Sequence, residues 1–579
     1  MYLNISKRHD RTYLYIEKGY RDENGKVKKK HVKTIGYLDE LEELYPDPIS
    51  HFKQIALRMT EEDKANKKLT LNINMNDRLP EDAVGMRNFG YVLPLKIYHE
   101  LGIDKFLRNQ AQKEPFKFNT NSIMILLAMC RILFPCSKRR ALEEKGRFFE
   151  RFDFTLDDIY RALNHFDKVS KDLQRYIHES VRMKYGSDTN VIYYDVTNYY
   201  FEIKKPDDFR KYGLSKEKRK RPIVQMGLAM DKSGIPLHYE LFPGNKLDKE
   251  TFRSVIGNVR KNYNTGRVIA VADMGIITGD NIYYLVGNKP EKPKNGYIFS
   301  FSVRGGTEKF QKYVLEELDY TTKDGKELSD DPNFKIKARV IARDINVTMT
   351  NGKTAKKTVY EKQIVFWSKK HCIKQRSQRN EILVKAEALI ADPKKFTKAT
   401  SYGAAAYINN IEFDKETGEV LDKGKLLSLD QSKIEAEEKF DGYYSIVTSE
   451  LEMDTDKVVE TYRGLWEIEE SFKITKSDLE SRPVHLQSKE HINAHFLVCF
   501  IALTILRLIQ KKIGWEYSAA KIIECLNKIE CVNEDENVYL FGYRSAISDR
   551  LGEAFELDFS RKRLRLDEIK NFSAIVKDG

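Results

Sequence analysis

A carboxylate stands in the middle of an apolar, β-prone segment of the chain. Asp195 lies in VIYYDVTNYY, whose other residues are typical of a buried strand. Burying an ionised carboxylate without a partner costs several kcal/mol, so Asp195 requires a hydrogen-bond donor, a cation or a metal ion. A second aspartate, Asp273, directly follows the apolar run 268–272. A single such residue is more often a turn or cap residue, but two in one α/β unit favour a metal pair.

A third carboxylate candidate lies on a predicted helix, VVETYRGLWEIEESFKITK, which ends at Lys476. Glu469 is seven residues after Tyr462 and three after Trp466, so the helical period predicts that it shares their apolar stripe. Lys476 follows after another seven residues and is predicted on the same face. A glutamate on a buried stripe requires a cation, and a salt bridge to Lys473 or Lys476 is the alternative to a metal ion.

Oxygen donors without a His or Cys cluster favour Mg²⁺, for which Mn²⁺ can substitute, over zinc. Two such ions about 3.5–4 Å apart can activate a nucleophile and stabilise the leaving oxygen at a phosphodiester. The chain contains 100 Lys and Arg against 87 Asp and Glu, a net charge of +13. That excess favours a polyanionic partner, either nucleic acid or an acidic membrane surface, although a merely basic soluble protein has the same charge. Together these features predict phosphoryl transfer on nucleic acid.

The two aspartates lie in a segment, residues 187–288, whose sequence pattern predicts the first part of an α/β core. Three β-prone runs joined by short turns predict an antiparallel meander. A helix and a further strand follow, and that strand ends at Asp273. The last strand must be reached by a crossover connection, which is typical of an α/β fold.

Two modules are predicted before the core. Residues 1–50 contain two alternating runs around Asn24-Gly25, which predicts a β-hairpin module. Residues 51–186 have apolar residues at helical spacing, which predicts a helical DNA-binding domain. A basic segment that includes Lys138 lies between two of these helices. It suits a DNA groove or a solvated surface equally well.

The remaining text is predicted as three regions. Residues 289–440 contain β-prone runs and glycine turns, so we expect a β-rich insertion domain. Residues 441–515 again have strand and helix patterns, and we expect them to form the second part of the core. Residues 516–579 are predicted as a C-terminal helical region, which pattern rules do not place.

The six cysteines form no CxxC pair, which predicts buried free thiols in a reducing compartment. The N-terminus has no secretory apolar segment. The longest apolar run, 496–506, is shorter than the ~20 residues that a membrane-spanning helix requires. These features predict a soluble cytoplasmic protein with no membrane partner.

The order of these features resembles the DDE transposases of bacterial insertion sequences, specifically the cut-and-paste lineage with a β insertion before the glutamate. Tyr462, Glu469 and Lys476 are in register with that family's tyrosine, arginine, glutamate and lysine signature. The signature's arginine position is Leu465, and Arg463 is nearby. The phrases FDGY at 440–443 and RPVH at 482–485, and the N-terminal hairpin, are also similar to the family, so the resemblance covers nearly the whole chain.

The resemblance implies an α/β fold: a ribonuclease H-like mixed-sheet core interrupted by a β-rich insertion, preceded by a helical DNA-binding domain and an N-terminal β-hairpin module. Asp195, Asp273 and Glu469 would be the catalytic residues and the ligands of two Mg²⁺ ions. The enzyme would cut double-stranded DNA at terminal inverted repeats and join the freed 3′-hydroxyl to target DNA, acting as a homodimer on paired ends. The residues predicted to contact DNA are Tyr462, Arg463, Trp466, Lys473, Lys476, Arg482, Arg219 and Arg221.

Within this family, aromatic residues can hold a flipped base near the cleaved end, and Trp466 is a better candidate than Trp367 for that role. Two alternatives remain open. The protein could be a catalytically inactive or regulatory DNA-binding relative of a transposase, or a ribonuclease H-like nuclease that never joins strands. A tyrosine recombinase is poorly supported, because no spaced Arg/His/Arg set accompanies Tyr462.

Overall fold

The structure is a computed structural model of the chain. The residues that it describes are 1–8, 10–21, 26–65, 76, 78, 81, 85–203, 205–213, 221–263, 265–289, 292–322, 332–391, 403–409, 411–413, 420–421, 427–535 and 537–578. The chain divides into two compact units, Met1–Glu81 and Asp82–Gly579.

The first unit is a three-stranded antiparallel sheet followed by two helices. Its elements are β1 (Tyr2–Arg8), β2 (Arg11–Arg21), β3 (Val27–Tyr37), α1 (Leu38–Glu42) and α2 (Pro48–Ala65). Arg21 pairs with Val27, which confirms the predicted hairpin between β2 and β3. The predicted turn at Asn24-Gly25 lies outside the described residues. The pattern did not predict β1, which pairs with β2 along its whole length.

The second unit contains the remaining elements. Its described strands are β4 (Arg87–Asn88), β5 (Val191–Tyr200), β6 (Ile223–Asp231), β7 (Pro236–Pro243), β8 (Ile269–Ala272), β9 (Gly296–Phe301), β10 (Phe334–Thr348), β11 (Thr354–Ser368), β12 (Ile408–Asn409), β13 (Glu412–Phe413), β14 (Val420–Leu421), β15 (Ser428–Leu429), β16 (Tyr443–Thr448), β17 (Glu530–Asp535), β18 (Val538–Phe541) and β19 (Arg563–Arg565). Its described α-helices are α3 (Val92–Glu100), α4 (Ile103–Ala111), α5 (Thr120–Leu133), α6 (Lys138–Glu143), α7 (Leu156–Tyr185), α8 (Asp248–Asn262), α9 (Gly279–Val286), α10 (Glu308–Leu315), α11 (Lys369–Ala391), α12 (Gln431–Glu438), α13 (Thr455–Arg463), α14 (Trp466–Lys473), α15 (Lys489–Lys512), α16 (Ala519–Lys528), α17 (Ala546–Phe555) and α18 (Leu566–Asp578).

The core is an eight-stranded mixed sheet in the order β10-β11-β16-β9-β8-β5-β6-β7. β5, β6 and β7 form the predicted antiparallel meander, and α8 is the predicted crossover helix that leads to β8. β8 lies parallel to β5, and β9 lies parallel to β8. A meander followed by parallel strands on the side of β5 is the ribonuclease H-like core that the sequence predicted.

The segment between β9 and β16 extends this sheet. β10 and β11 form a hairpin of two 15-residue strands, and β11 pairs with β16 in antiparallel fashion. The three β-prone runs of the predicted insertion are therefore strands of the core sheet itself, and the same segment also contains α10, α11 and α12. The exact limits of the insertion and of the other domains stay predictions.

The most apolar helix, α15, is the central helix of the second unit. By length and composition it could cross a membrane, so the prediction that no apolar segment is long enough is wrong. In the structure, 94% of its most apolar stretch is buried against the protein's own elements, as in the core helix of a globular protein. Among the described residues, α5 and the segment Lys138–Arg147 are together also long and apolar enough to cross a membrane, but they are bent by 105° relative to each other.

The C-terminal residues form a mixed structure in which strands accompany the predicted helices. β17, β18 and β19 join β4 in a four-stranded antiparallel sheet. The pairing of β17 with β4 links residues that are more than 440 positions apart, which local patterns cannot predict. All six cysteines are free thiols, and five of them are buried, as the sequence predicted.

Candidate active site

The strand register places the two predicted aspartates side by side. β5 and β8 are parallel, and Tyr193 pairs with Val271. Asp195 and Asp273 each follow this pair by two residues, so they lie at the same end of neighbouring strands ~4.8 Å apart. Asp195 is half-buried, and Asp273 is exposed just beyond the end of β8.

Two hydrogen bonds orient the Asp273 carboxylate. Met274 N donates to Oδ1 over 2.7 Å, and Ser300 Oγ donates to the same oxygen over 2.5 Å. Ser300 belongs to β9, the next parallel strand, so the sheet itself positions this donor. Ser300 was not among the predicted site residues, although a serine within the apolar strand GYIFSF is the signal that could have indicated it.

The predicted motif helix is interrupted between α13 and α14. At the break, Leu465 N donates to Tyr462 O over 3.0 Å and Ile468 N donates to Leu465 O over 3.1 Å. Such three-residue bonds turn the chain by ~120° per residue instead of ~100°, so the residues that follow are rotated. Trp466 is consequently 56% exposed and Glu469 is also exposed. The prediction that both lie on the buried stripe is wrong.

The break lies against β5, close to Asp195. The hydroxyl of Tyr193, which projects from β5, donates to Thr461 O over 3.1 Å. Burial, together with nearby carboxylates such as Glu467, raises the pKa of Tyr193 to about 12. A Cβ atom at Gly464 would overlap the Tyr193 hydroxyl, so a glycine is required at this contact. The tyrosine and the glycine together set how closely the motif helices approach the strand.

Substituting Gly464→Ala is expected to destabilise the fold by about 1–3 kcal/mol, because the added methyl group forces the Tyr193 hydroxyl or α13 to move. Thermal unfolding of Gly464→Ala and of the double variant Gly464→Ala/Tyr193→Phe measures the effect. The double variant should recover part of the loss. Gly266→Ala is the matched control, since its Cβ meets no atom within 4 Å. Equal unfolding temperatures for the two glycine variants would contradict this interpretation.

The negative charges of Glu469 and Asp273 raise the pKa values of the same two tyrosines, Tyr462 and Tyr444. Burial raises the pKa of Tyr462 well above its usual range, and the negative charges of Asp273 and Glu469 add to that effect. The pKa of Tyr444 is raised by burial and by the same two carboxylates. Both carboxylates therefore lie within electrostatic range of the same pair of hydroxyls.

Tyr444 is a site residue that the sequence analysis missed. It projects from β16, is 40% exposed, and stacks on Phe366 with ring centroids 5.7 Å apart and an interplanar angle of 10°. His371 contacts its other side edge-on, with centroids 4.5 Å apart. The signal that could have found it is the phrase FDGYY directly before the strand.

The interior ion pair of the motif helix belongs to Glu467 and not to Glu469. Glu467 contacts the guanidinium of Arg507, whose side chain is only 1% exposed in α15. Arg507 also donates to Gly234 O over 3.0 Å. This pair anchors α14 to the central helix and leaves Glu469 at the surface. Of the two lysines predicted as alternative partners of Glu469, Lys473 lies 3.6 Å from Glu470.

Two of the predicted DNA-contacting residues lie along β5 beyond Asp195. The Lys476 ammonium is 5.8 Å from the ring of Tyr199, and the Arg482 guanidinium is 5.7 Å from the ring of Tyr200. Both cations are half-buried. Tyr199 and Tyr200 are the last residues of β5, the strand that carries Asp195. Both cations therefore lie toward the C-terminal end of β5 from Asp195.

The other residues predicted to contact DNA have different surroundings from one another. Arg463 and Lys473 are exposed near the break. Arg221 forms an ion pair with Glu202 over 3.2 Å, and Arg219 lies outside the described residues. Trp367 donates from Nε1 to Asp441 O over 2.8 Å, which ties its indole to the scaffold.

The donor set suits a divalent cation, because carboxylate oxygens are the ligands that Mg²⁺ and Mn²⁺ prefer. Within the described part of the chain, no three His, Cys, Asp or Glu side chains are gathered closely enough to form a ready-made metal cluster. Asp195 and Asp273 are thus an adjacent pair, and Glu469 is supplied separately by α14.

Two family models match the chain. The N-terminal domain of IS1634 family transposases matches residues 3–68. The transposase DDE domain matches residues 187–505, which is more than half of the chain and includes Asp195, Asp273 and Glu469. The chain belongs to the DDE transposases. The resemblance seen in the sequence is therefore confirmed at the level of the family.

Among solved structures, the transposase is similar to a chain described as a Mos1 transposase paired-end complex with left transposon end, at 11% identity and a TM-score of 0.11. The match covers 38% of the transposase and 60% of the length of that chain. A TM-score this low is no evidence about the fold. The strand order of the core sheet establishes the fold. No curated protein matches the transposase.

Proposed function

We propose that the transposase cleaves DNA at the terminal inverted repeats of an insertion sequence and joins the freed 3′-hydroxyl to target DNA. The match of the DDE domain over residues 187–505 carries this proposal, because that segment includes all three carboxylates. The parallel pairing of β5 and β8 supports it, since it holds Asp195 and Asp273 at the same end of neighbouring strands, on a rigid element.

In this proposal Asp195, Asp273 and Glu469 hold two Mg²⁺ ions, for which Mn²⁺ can substitute. The bound ions would polarise the phosphodiester and lower the pKa of an attacking water or hydroxyl. Ser300 and the backbone of residue 274 keep the Asp273 carboxylate aimed at the site. The hydroxyls of Tyr444 and Tyr462 remain protonated and can donate to a phosphate oxygen beside the carboxylates.

The DNA strand would follow β5 from the carboxylates toward Lys476 and Arg482, whose positive charges suit the phosphate backbone. Arg463, Lys473 and Trp466 would meet DNA from the motif helices, and the net charge of +13 favours the approach of DNA. Arg219 and Arg221 are proposed as outer phosphate contacts. We infer a homodimer on paired ends and action in the cytoplasm of a bacterium, at the nucleoid.

Cleavage of a plasmid that carries the DNA flanking the gene tests this proposal. Wild type and Glu469→Gln are compared with Mg²⁺, with Mn²⁺ and with EDTA. We expect metal-dependent cuts at the two repeat ends, together with a strand-transfer product, and neither in the variant. Cutting without preference for the ends and without strand transfer would instead identify a nuclease. Binding without cutting on a paired-end substrate would identify a regulatory protein.

A further inference from the structure

A pocket of about 380 Å³ lies between the helical segment and the loop that follows the motif helices. Arg131 and Lys138 line it from the helical segment, and Arg482, His485 and His495 line it from the other side. None of the three carboxylates lines it, and of its lining residues only Arg482 has been proposed above to contact DNA.

Lys138 is a buried cation in the wall of this pocket. It is 7% exposed, so it does not belong to a solvated basic surface, one of the two predicted alternatives. In the part of the chain that the structure describes, its only hydrogen-bond partner is His495 Nδ1 at 3.0 Å, and it has no carboxylate partner. A buried ammonium without a counter-ion is unfavourable unless another group supplies the negative charge.

His495 is arranged to orient the ammonium and not to neutralise it. Its Nε2 lies 3.2 Å from Ser481 O, and burial together with Lys138 and Arg131 lowers its pKa well below the usual range. A neutral imidazole that donates from Nε2 to this carbonyl accepts at Nδ1. Lys138 therefore uses one N–H on the histidine and keeps two for a ligand.

Arg131 adds positive charge, and it has no ion pair with any residue that the structure describes. Its guanidinium donates to Leu479 O over 3.0 Å and to Cys136 O over 3.1 Å, and these carbonyls carry no net charge. The pocket lining thus contains three cations, Arg131, Lys138 and Arg482, and a single carboxylate residue, Glu480. Burial and the Arg131 charge lower the pKa of Lys138 to about 7, which reflects the missing counter-ion.

We propose that this pocket binds a phosphate group of the DNA backbone, held by Lys138 and Arg482. A phosphate supplies the negative charge that the buried ammonium lacks, and its oxygens accept charge-assisted hydrogen bonds from both cations. The assignment of DNA as the source of the phosphate rests on the proposed function, whereas the phosphate chemistry itself does not.

The position of the pocket favours DNA over a free anion. Arg482 lies against Tyr200, five residues beyond Asp195 in β5. That separation corresponds to ~17 Å along the strand. A DNA strand that advances ~3.4 Å per nucleotide would bring a phosphate about five nucleotides from the scissile bond to this pocket.

Phosphate binding tests the pocket without any need for catalysis. Calorimetry with inorganic phosphate, at constant ionic strength against chloride, compares wild type with Lys138→Met. Arg139→Met is the matched control, because Arg139 is the exposed neighbour of Lys138 and does not line the pocket. We expect at least a tenfold loss of phosphate affinity in Lys138→Met and wild-type affinity in the control. Equal affinity in all three proteins would overturn the proposal.

A second variant keeps the test decisive if Lys138→Met fails to fold. Arg482→Met removes the half-buried cation at the pocket wall and should also weaken phosphate binding about tenfold. Unchanged phosphate affinity in a folded Arg482→Met protein would overturn the assignment of the two cations as a shared site.

The DNA arm uses end-containing duplexes in which one phosphate at a time is replaced by a neutral methylphosphonate. Wild type should lose affinity at one position, about five nucleotides from the cut, and Lys138→Met should be insensitive there. Inorganic phosphate binding that depends on Lys138, without any such position in DNA, would overturn DNA as the source. A failed plasmid cleavage test with intact Lys138-dependent phosphate binding would contradict the proposed function alone.

Discussion

Replacing Asp273 with asparagine is expected to abolish DNA cleavage while DNA binding survives. The substitution keeps the oxygen that accepts from Ser300 Oγ and from Met274 N, so local geometry should persist. It removes the negative charge that would hold a divalent ion beside Asp195. Losing that interaction costs several kcal/mol of transition-state stabilisation, on the order of a thousandfold in rate. The same result is expected for Asp195→Asn and for Glu469→Gln.

The matched control for these variants is Glu470→Gln. Glu470 is adjacent to Glu469 but lies 3.6 Å from Lys473, and this partly exposed pair contributes little. We expect this control to cleave within a fewfold of wild type. Calorimetric Mn²⁺ uptake should be lost in the Asp273 variant and kept in the control. Metal-dependent cleavage by Asp273→Asn at the wild-type rate would refute the assignment of the carboxylates.

Replacing Asp441 with asparagine is expected to cause the largest loss of stability. The Asp441 carboxylate is fully buried and accepts two hydrogen bonds of 2.7 Å from Arg379 of α11. Arg304 donates to it over 3.0 Å. The variant would leave Arg379, itself 5% exposed, with only Glu438 as an ionised partner among the described residues. Breaking a buried ion pair on one side costs about 3–5 kcal/mol.

Thermal unfolding and hydrogen exchange measure this effect. Exchange should increase first in α11, because Arg379 is the link between that helix and the residues before β16. Cleavage should also fall, since Tyr444 follows Asp441 by three residues and lies within electrostatic range of Asp273 and Glu469. The control is Asp344→Asn, an exposed aspartate of β10 that accepts from Thr358 over 2.8 Å. Unchanged exchange in α11 of Asp441→Asn would show that other contacts hold the helix.

Much of the core was accessible from the sequence because its determinants are local. Runs of β-prone, mostly apolar residues specify β5, β6 and β7, and the short turn between β6 and β7 leaves antiparallel pairing as their direct connection. The helical period of α8 requires a crossover before β8. For the same reason, Asp195 within one strand and Asp273 at the end of another are recognisable as unusual from the order of residues alone.

The tertiary structure alone decided which faces of these elements are buried. The motif helix breaks around Gly464, where the Tyr193 hydroxyl of a distant strand occupies the space that a side chain at residue 464 would need. Glu467 pairs with Arg507 for a similar reason, since α15 passes beside α14 and leaves Glu469 at the surface. Neither contact has a counterpart in the local sequence, where a regular period predicted the opposite exposure of Trp466 and Glu469.

Lys138 shows the same division between local and distant determinants. Its neighbours Arg139 and Arg140 are exposed, and the run of basic residues predicted a surface. The packing of α15, which brings His495 against the start of α6, buries Lys138 instead. The sequence by itself determined the meander, the crossover helix and the candidate carboxylates. Long-range packing decided burial and charge pairing, because those depend on elements that are hundreds of residues apart in the chain.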